Sequence, residues 1–293
     1  MIEDLKKLKV GRIETNIDLK KYCTYKVGGI GKVLVIPDNE ECLVKLIKYI
    51  KENKIKYKIL GNGSNLIFSD FDGILIKLEK FDYLDIKDTI ITVGAGYSLA
   101  RLAIKASKLG LTGLEFATGI PGTVGGAVYM NAGAYKSDMG YIVSEVKVLT
   151  EDLQIKKFYN KDINYHYRES IFQHGKYVIL EAKIVLKHGN KDEIMDIIEN
   201  RKQRRLMSQP LEYPSAGSVF RNPDGDFAGR LIEEIGYKGK IQGGAMVSDK
   251  HANFIINYKD ASYKDVIKLI NDIKKEVKEK YNIDLKCEQE IVE

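Results

Sequence analysis

The sequence predicts an α+β protein of two units, and three observations point there. Helix-spaced apolar residues, Leu43, Leu46, Ile47 and Ile50, are followed at once by strand-like alternation from Ile55 to Leu60. β-Branched alternation returns at Val143 to Leu149 and Tyr177 to Leu186. A polar stretch, His188-Gly189-Asn190-Lys191, then precedes a region ending in a long amphipathic helix, Ser262 to Tyr281.

The elements follow in order. Asp38 with Glu41 at the third helical position reads as a helix start, so one face of the helix carrying Leu43 to Ile50 is expected inside. The strand Ile55 to Leu60 runs directly into Gly61-Asn62-Gly63-Ser64-Asn65. Gly73 to Leu78 and Thr89 to Val93 are further strands, and Leu99 to Leu109 is a helix ending at Gly110. Beyond the polar stretch, Lys191 to Arg205 is a helix with Ile194, Ile197 and Ile198 inward. The last helix is capped by Ser262 with Asp265, and its stripe is Val266, Ile267, Ile270, Ile273 and Val277.

Composition sets the outer limits. The chain has 293 residues, 44% hydrophobic and 30% charged, enough for two or three lobes with real cores. No run of about 18 uncharged apolar residues suggests a membrane span. The N-terminal residues mix acids and bases and lack a secretory apolar region, so a cytoplasmic protein is expected. The three cysteines, Cys23, Cys42 and Cys287, suit neither a disulfide framework nor a metal site. The net charge of +6 is spread among interleaved acids, as in Lys274 to Lys280, which favours steering of an anionic small substrate over nucleic-acid binding.

Two glycine segments carry the binding signal. Gly119 to Ala134 is too apolar for a linker and too interrupted by glycine for an ordinary helix or strand, so a ligand is expected close to its backbone. The loop Gly61 to Asn65 adds side-chain donors to a nest of N–H groups; alone, it is equally well a β-turn. Together the two loops suit the two phosphates of one pyrophosphate. Gly94-Ala95-Gly96 imitates a dinucleotide fingerprint, but Leu99 stands where the third glycine or alanine belongs, so a tight strand-to-helix turn is the better reading.

Further motifs carry a family resemblance. Thr24 to Gly29, Leu60 to Asn65, and Gly113 to Phe116 continuing through Gly119 to Gly126 and Asn131 to Ala134 resemble the flavin-binding half of the UDP-N-acetylenolpyruvoylglucosamine reductases. The likeness continues through Tyr165 to Ser170, Gln209-Pro210, Pro214 to Pro223, Ala228 to Glu233 and His251 to Asn257, in the family's order over nearly the whole chain. It implies a vanillyl-alcohol-oxidase (PCMH-type) FAD-binding fold over 1–187, with subdomains at about 1–80 and 81–187, and a smaller α+β substrate domain over 191–293. The interval from Arg168 to Ser218 is too short for the tyrosine-bearing segment of one branch, so the chain resembles the shorter, second-type branch.

The resemblance also implies an activity. Hydride passes from NADPH to FAD and then to C3 of an enolpyruvyl ether on UDP-N-acetylglucosamine, giving UDP-N-acetylmuramate for peptidoglycan synthesis. Charge developing at C2 spreads into the adjoining carboxylate, so the site needs a cation or shared proton there and a proton donor at C2. The family motifs assign Arg168 to the carboxylate, Ser218 to the proton and Glu288 to the C-terminal carboxyl. Each has a plain alternative: an ion pair for Arg168, a turn-filling residue for Ser218, and Glu290 in place of Glu288. The family usually shows Leu-Glu-x-Glu-Val and then a basic residue, whereas this chain reads Leu285-Lys286-Cys287-Glu288-Gln289-Glu290. Arg221 and Lys238 are both candidates to polarise Ser218.

Cofactor contacts are expected from Tyr25, Gly61, Asn62, Gly63, Ser64, Asn65, Gly119, Pro121, Gly122, Thr123, Gly125, Gly126, Ala127, Asn131 and Gly133. Substrate contacts are expected from Tyr167, Asn222, Arg230, Lys238 and His251. No metal is expected, and the partner is a UDP-sugar, with no nucleic acid, no membrane and a monomeric state. The rival readings are a flavin oxidase of another alcohol or sugar on this fold, and a non-catalytic anion or nucleic-acid binding protein.

Overall fold

The computed structural model describes all 293 residues. They form two compact units, one of 1–15, 33–62 and 73–202, the other of 16–32, 63–72 and 203–293. This division does not follow the sequence boundary near 187–191. Hydrogen bonds remote in sequence draw 16–32 and 63–72 into the unit that holds the C-terminus.

The first unit is built on a five-stranded antiparallel sheet in the order Ile155–Tyr159, Val143–Leu149, Val178–Val185, Ile90–Gly94 and Leu84–Lys87. Burial follows the pleat: Ile91, Val93, Val146, Val148, Ala182 and Ile184 are fully buried. The helix Leu99–Lys108 buries Leu99, Leu102, Ala103 and Ala106 in the same core. The helix Glu40–Glu52 buries Leu43, Leu46, Ile47 and Ile50 as its spacing predicts. Its cap is Asn39, not Asp38: the Asn39 side chain accepts from the Cys42 amide at 2.9 Å.

Three other details depart from the sequence reading. The glycine-dense stretch contains a helix, Val124–Tyr129, capped by Thr123. Gly125 is needed there because an added Cβ would lie 2.9 Å from the Ala95 Cβ, so glycine serves close packing. In Lys191–Ser208, Ile194 and Ile198 are buried while Ile197 is exposed. The polar stretch begins as a short strand, Lys187–His188, paired with Leu111–Thr112.

In the second unit Leu66–Phe68 pairs in parallel with Glu290–Val292, the contact that binds 63–72 to the C-terminus. A three-stranded sheet of Ile241–Gln242, Ala245–Val247 and Ile255–Asn257 lies in the same unit. Tyr263–Tyr281 starts with a complete capping box between Ser262 and Asp265. Leu269 replaces Ile267 among its buried residues, because the buried stripe sits slightly further round the helix than the isoleucine spacing implies. No helix is long and apolar enough to cross a membrane.

Candidate active site

Within the first unit the two glycine segments meet. The Asn62 side-chain amide donates to the Pro121 carbonyl at 3.1 Å. A Cβ on Gly61 would stand 2.8 Å from Thr123 Oγ1, so glycine here permits loop to touch loop. Thr123 Oγ1 also accepts the Gly126 amide, while Val124 and Gly125 donate to Tyr97 and Ala95 carbonyls. The first amides of this helix are therefore paired with protein.

The donors left for an anion lie just before the helix. Gly122 and Thr123 are buried residues whose amides donate to no carbonyl, and the exposed Asn62 backbone amide likewise has no acceptor. Buried amides without partners are uncommon and costly. Gly126 is exposed, and a Cβ there would meet only Thr123 Oγ1, at 3.5 Å, leaving its outer face open to a ligand. Pro121 is exposed and Gly119 half-buried on the same segment. These residues fit the pyrophosphate of a dinucleotide cofactor.

Other expected cofactor residues do different work. Asn131 is buried, and its side chain donates to His166 O at 2.8 Å and accepts from the Gly140 amide at 2.9 Å. Ala127 is buried in the core. Both are nearly closed to solvent. Asn131 instead anchors the turn that carries Arg168, whose ends are closed by paired backbone bonds between His166 and Glu169. Arg168 has φ 57°, a left-handed conformation costly for a residue with a Cβ. Its guanidinium donates to the Gly133 carbonyl at 2.8 Å and lies 5.0 Å over the exposed ring of Tyr167. Gln173, overlooked in the sequence, donates to both Tyr129 O and Arg168 O. Arg168, Gly133, Asn131 and Tyr167 are thus one cluster.

In the second unit Gly63 has φ 62°, and a Cβ there would strike the Tyr22 carbonyl at 2.2 Å. The Gly63 and Ser64 amides donate to no backbone carbonyl. The Asn65 side chain donates to Glu288 O at 3.0 Å. Tyr25 is fully buried with its hydroxyl unpartnered, and burial pushes its ionisation well above the usual tyrosine range. It offers a cofactor no surface, because its ring lies inside this unit.

Ser218 and Glu288 come from adjacent segments. The Glu288 amide donates to Val219 O at 2.8 Å, and Phe220 bridges to Cys287. Ser218 and Glu288 are both half-buried. Asn253, also overlooked, receives the Val219 amide at its carbonyl and the Phe220 amide at Oδ1, and its Nδ2 donates to Phe220 O. An asparagine that pairs as a peptide would has no local sequence signature, since its partner lies 33 residues away.

The expected substrate residues divide. Exposed Arg230 is held by Asp226 and Glu234, and its hydrogen bonds draw the Asp226 carboxyl down to about 2. Lys238 pairs with Glu233 at 3.1 Å. Asn222 Oδ1 accepts the Ala228 amide at the start of Ala228–Glu234. His251 is half-buried, its ring centroid 4.8 Å from that of Phe254 with the planes tilted by 59°, and burial lowers its pKa.

Comparison with known proteins resolves the class. Residues 209–292 match the family model described as UDP-N-acetylenolpyruvoylglucosamine reductase, C-terminal domain, and 31–158 match an FAD binding domain. UDP-N-acetylenolpyruvoylglucosamine reductases of Caldanaerobacter subterraneus and Bacillus subtilis are each 44% identical to the chain, over all of it and 98% of the relative. The chain belongs to the UDP-N-acetylenolpyruvoylglucosamine reductase family. The crystal structure of the Thermus caldophilus member superposes with a TM-score of 0.84 at 34% identity, covering 96% of this chain and 99% of that one. The expected α+β, vanillyl-alcohol-oxidase (PCMH-type) FAD-binding fold is therefore the fold of this family member.

Proposed function

We propose that this chain reduces UDP-N-acetylenolpyruvoylglucosamine to UDP-N-acetylmuramate in peptidoglycan precursor synthesis, with FAD as resident cofactor and NADPH as reductant. Family membership supports the reaction and the flavin. The residue roles are supported by the geometry within each unit, above all by the backbone bond that sets Glu288 beside the Ser218 segment.

The unpaired amides of Gly122, Thr123 and Asn62 and the open face of Gly126 would hold FAD, and Gly63, Ser64 and Asn65 would be further contacts. Bound there, it would supply two-electron hydride chemistry. Arg168 binds the enolpyruvyl carboxylate; its planar fork suits two oxygens, and its permanent charge opposes the charge that develops on reduction. The Ser218 Oγ–H bond breaks as the C2–H bond forms, and a proton from solvent restores the hydroxyl. Glu288 supplies the carboxyl that shares a proton with the substrate carboxylate. It is preferred over Glu290, whose amide bonds to Asn65 O in the strand Glu290–Val292.

Residues 1–187 serve the cofactor in this reading and 191–293 the UDP-sugar. The enzyme works as a cytoplasmic monomer without nucleic acid or membrane. Some of its lysines are paired with acids along helix faces, as in Lys268 with Asp272 and Lys275 with Glu279. The test is a pair of half-reactions. Ser218→Ala should retain flavin bleaching by NADPH and lose reoxidation by the enolpyruvyl substrate. Equal slowing of both would make Ser218 structural, and rapid bleaching by an alcohol or sugar but not by NADPH would favour an oxidase.

A further inference from the structure

We infer that Gln289 is a positioning residue for Ser218, an inference that rests on the proton-donor role proposed above. Gln289 is 3% exposed, and its Nε2 donates to the Gly217 carbonyl at 3.0 Å. Its Oε1 is buried and finds no donor. Reversing the amide would set oxygen against the Gly217 carbonyl oxygen, so this orientation is the better of the two.

A buried acceptor without a donor costs more than one net hydrogen bond returns, so this glutamine is a poor stabiliser of the fold. The family pattern has an apolar valine at this place. The reason for an amide must lie in what Nε2 holds. Gly217 has φ +75°, and no atom lies within 4 Å of a Cβ built there, so neither a side chain nor neighbours restrict it. It immediately precedes Ser218. On the far side, the Val219 amide is fixed on Asn253 O, and Val219 O receives the Glu288 amide.

Ser218 therefore hangs between a fixed residue and a free one. The Gln289 bond closes the free side: because the peptide is planar, fixing the Gly217 carbonyl also fixes the direction of the Ser218 N–H and Cα. The Cα that carries the hydroxyl is thereby held by a side chain that touches no reacting atom. Gln289→Met keeps the length of the side chain and removes the donor; Gln289→Val restores the family residue in case methionine packs poorly.

The experiment uses FAD-loaded enzyme, wild type beside Gln289→Met, Gln289→Val, Ser218→Ala and Ser218→Ala/Gln289→Met. Stopped-flow follows reduction by NADPH and reoxidation by UDP-N-acetylenolpyruvoylglucosamine separately, and Tm is measured for each protein. Loss of one orienting hydrogen bond should slow reoxidation about tenfold, equivalent to about 1.4 kcal/mol. Reduction should stay within about twofold and Tm should not fall. In the Ser218→Ala background the Gln289→Met change should have no further effect on reoxidation.

Normal reoxidation in both Gln289 variants while Ser218→Ala is slow would overturn the inference and leave the serine role standing. Normal reoxidation in Ser218→Ala would instead overturn the serine role. A Tm loss with both half-reactions slowed alike in both Gln289 variants would make Gln289 a structural residue. An additional loss in the double variant would show that it acts elsewhere.

Discussion

Gly61→Ala tests whether contact between the two glycine segments controls FAD binding. Gly61 does not have a positive φ, so alanine suits its backbone and the change isolates the new methyl group. That carbon would lie 2.8 Å from Thr123 Oγ1, while ordinary contact begins at 3.4 Å, so the loops must part by about 0.6 Å. An equal opening would take the 3.1 Å bond between the Asn62 side chain and Pro121 O beyond hydrogen-bonding range. Such overpacking typically costs about 1–3 kcal/mol. If that cost falls on the binding-competent arrangement, FAD affinity should drop roughly 5- to 150-fold. The assay is titration of deflavinated protein with FAD, followed by flavin fluorescence. Thr123→Ala should weaken binding by itself, since the helix loses a cap worth about 1 kcal/mol, but it also removes the atom that Gly61→Ala strikes. The double variant should therefore bind better than the two single losses predict, by about 1 kcal/mol or more. Unchanged affinity in Gly61→Ala, or strictly additive losses, would refute the reasoning.

Two other predictions address charge. Arg168→Lys keeps the charge but loses both the fork and the geometry of the bond to Gly133 O; reoxidation by substrate should fall about 100-fold while reduction by NADPH is preserved, and equal loss in both half-reactions would refute the carboxylate role. His251 has a folded pKa held below 6.5 by burial, so the unfolded chain takes up its proton first as pH falls. Its contribution is fully present above 6.5 and is lost as pH falls below 6.5 towards the folded pKa. Urea midpoints measured on both sides of 6.5 should therefore fall less on acidification in His251→Gln than in the wild type, and parallel curves would remove His251 from the linkage.

What was legible in the sequence was local. The Glu40–Glu52 face and the Ser262 capping box depend on residues a few positions apart, and both formed as read. Asp38 and Asn39 are both good caps, and composition does not say which one turns out of the helix. The glycines were recognised as places of close approach, but much of what approaches is the chain itself: Gly61 meets Thr123, Gly125 meets Ala95, and Gly63 meets Tyr22. The family motifs named Arg168 and Ser218 without revealing that Asn131, Gln173, Asn253 and Gln289 hold their segments through bonds remote in sequence, which follow no periodicity.

The choice between Glu288 and Glu290 shows why periodicity stops short of the site. Alternation puts residues two apart on the same face only while a strand keeps one neighbour. Here the neighbour changes between them: the Glu288 amide bonds to Val219 O, and the Glu290 amide bonds to Asn65 O. The two backbone amides thus belong to different local pairings, and of the two residues only Glu288 has its amide on the segment that carries the proposed proton donor. Only contacts remote in sequence separate them, as they also create the second unit from 16–32, 63–72 and 203–293. Glu288→Gln should therefore impair substrate reoxidation more than Glu290→Gln, and the reverse order would show that the pairing with Val219 does not direct the carboxyl to the reacting group.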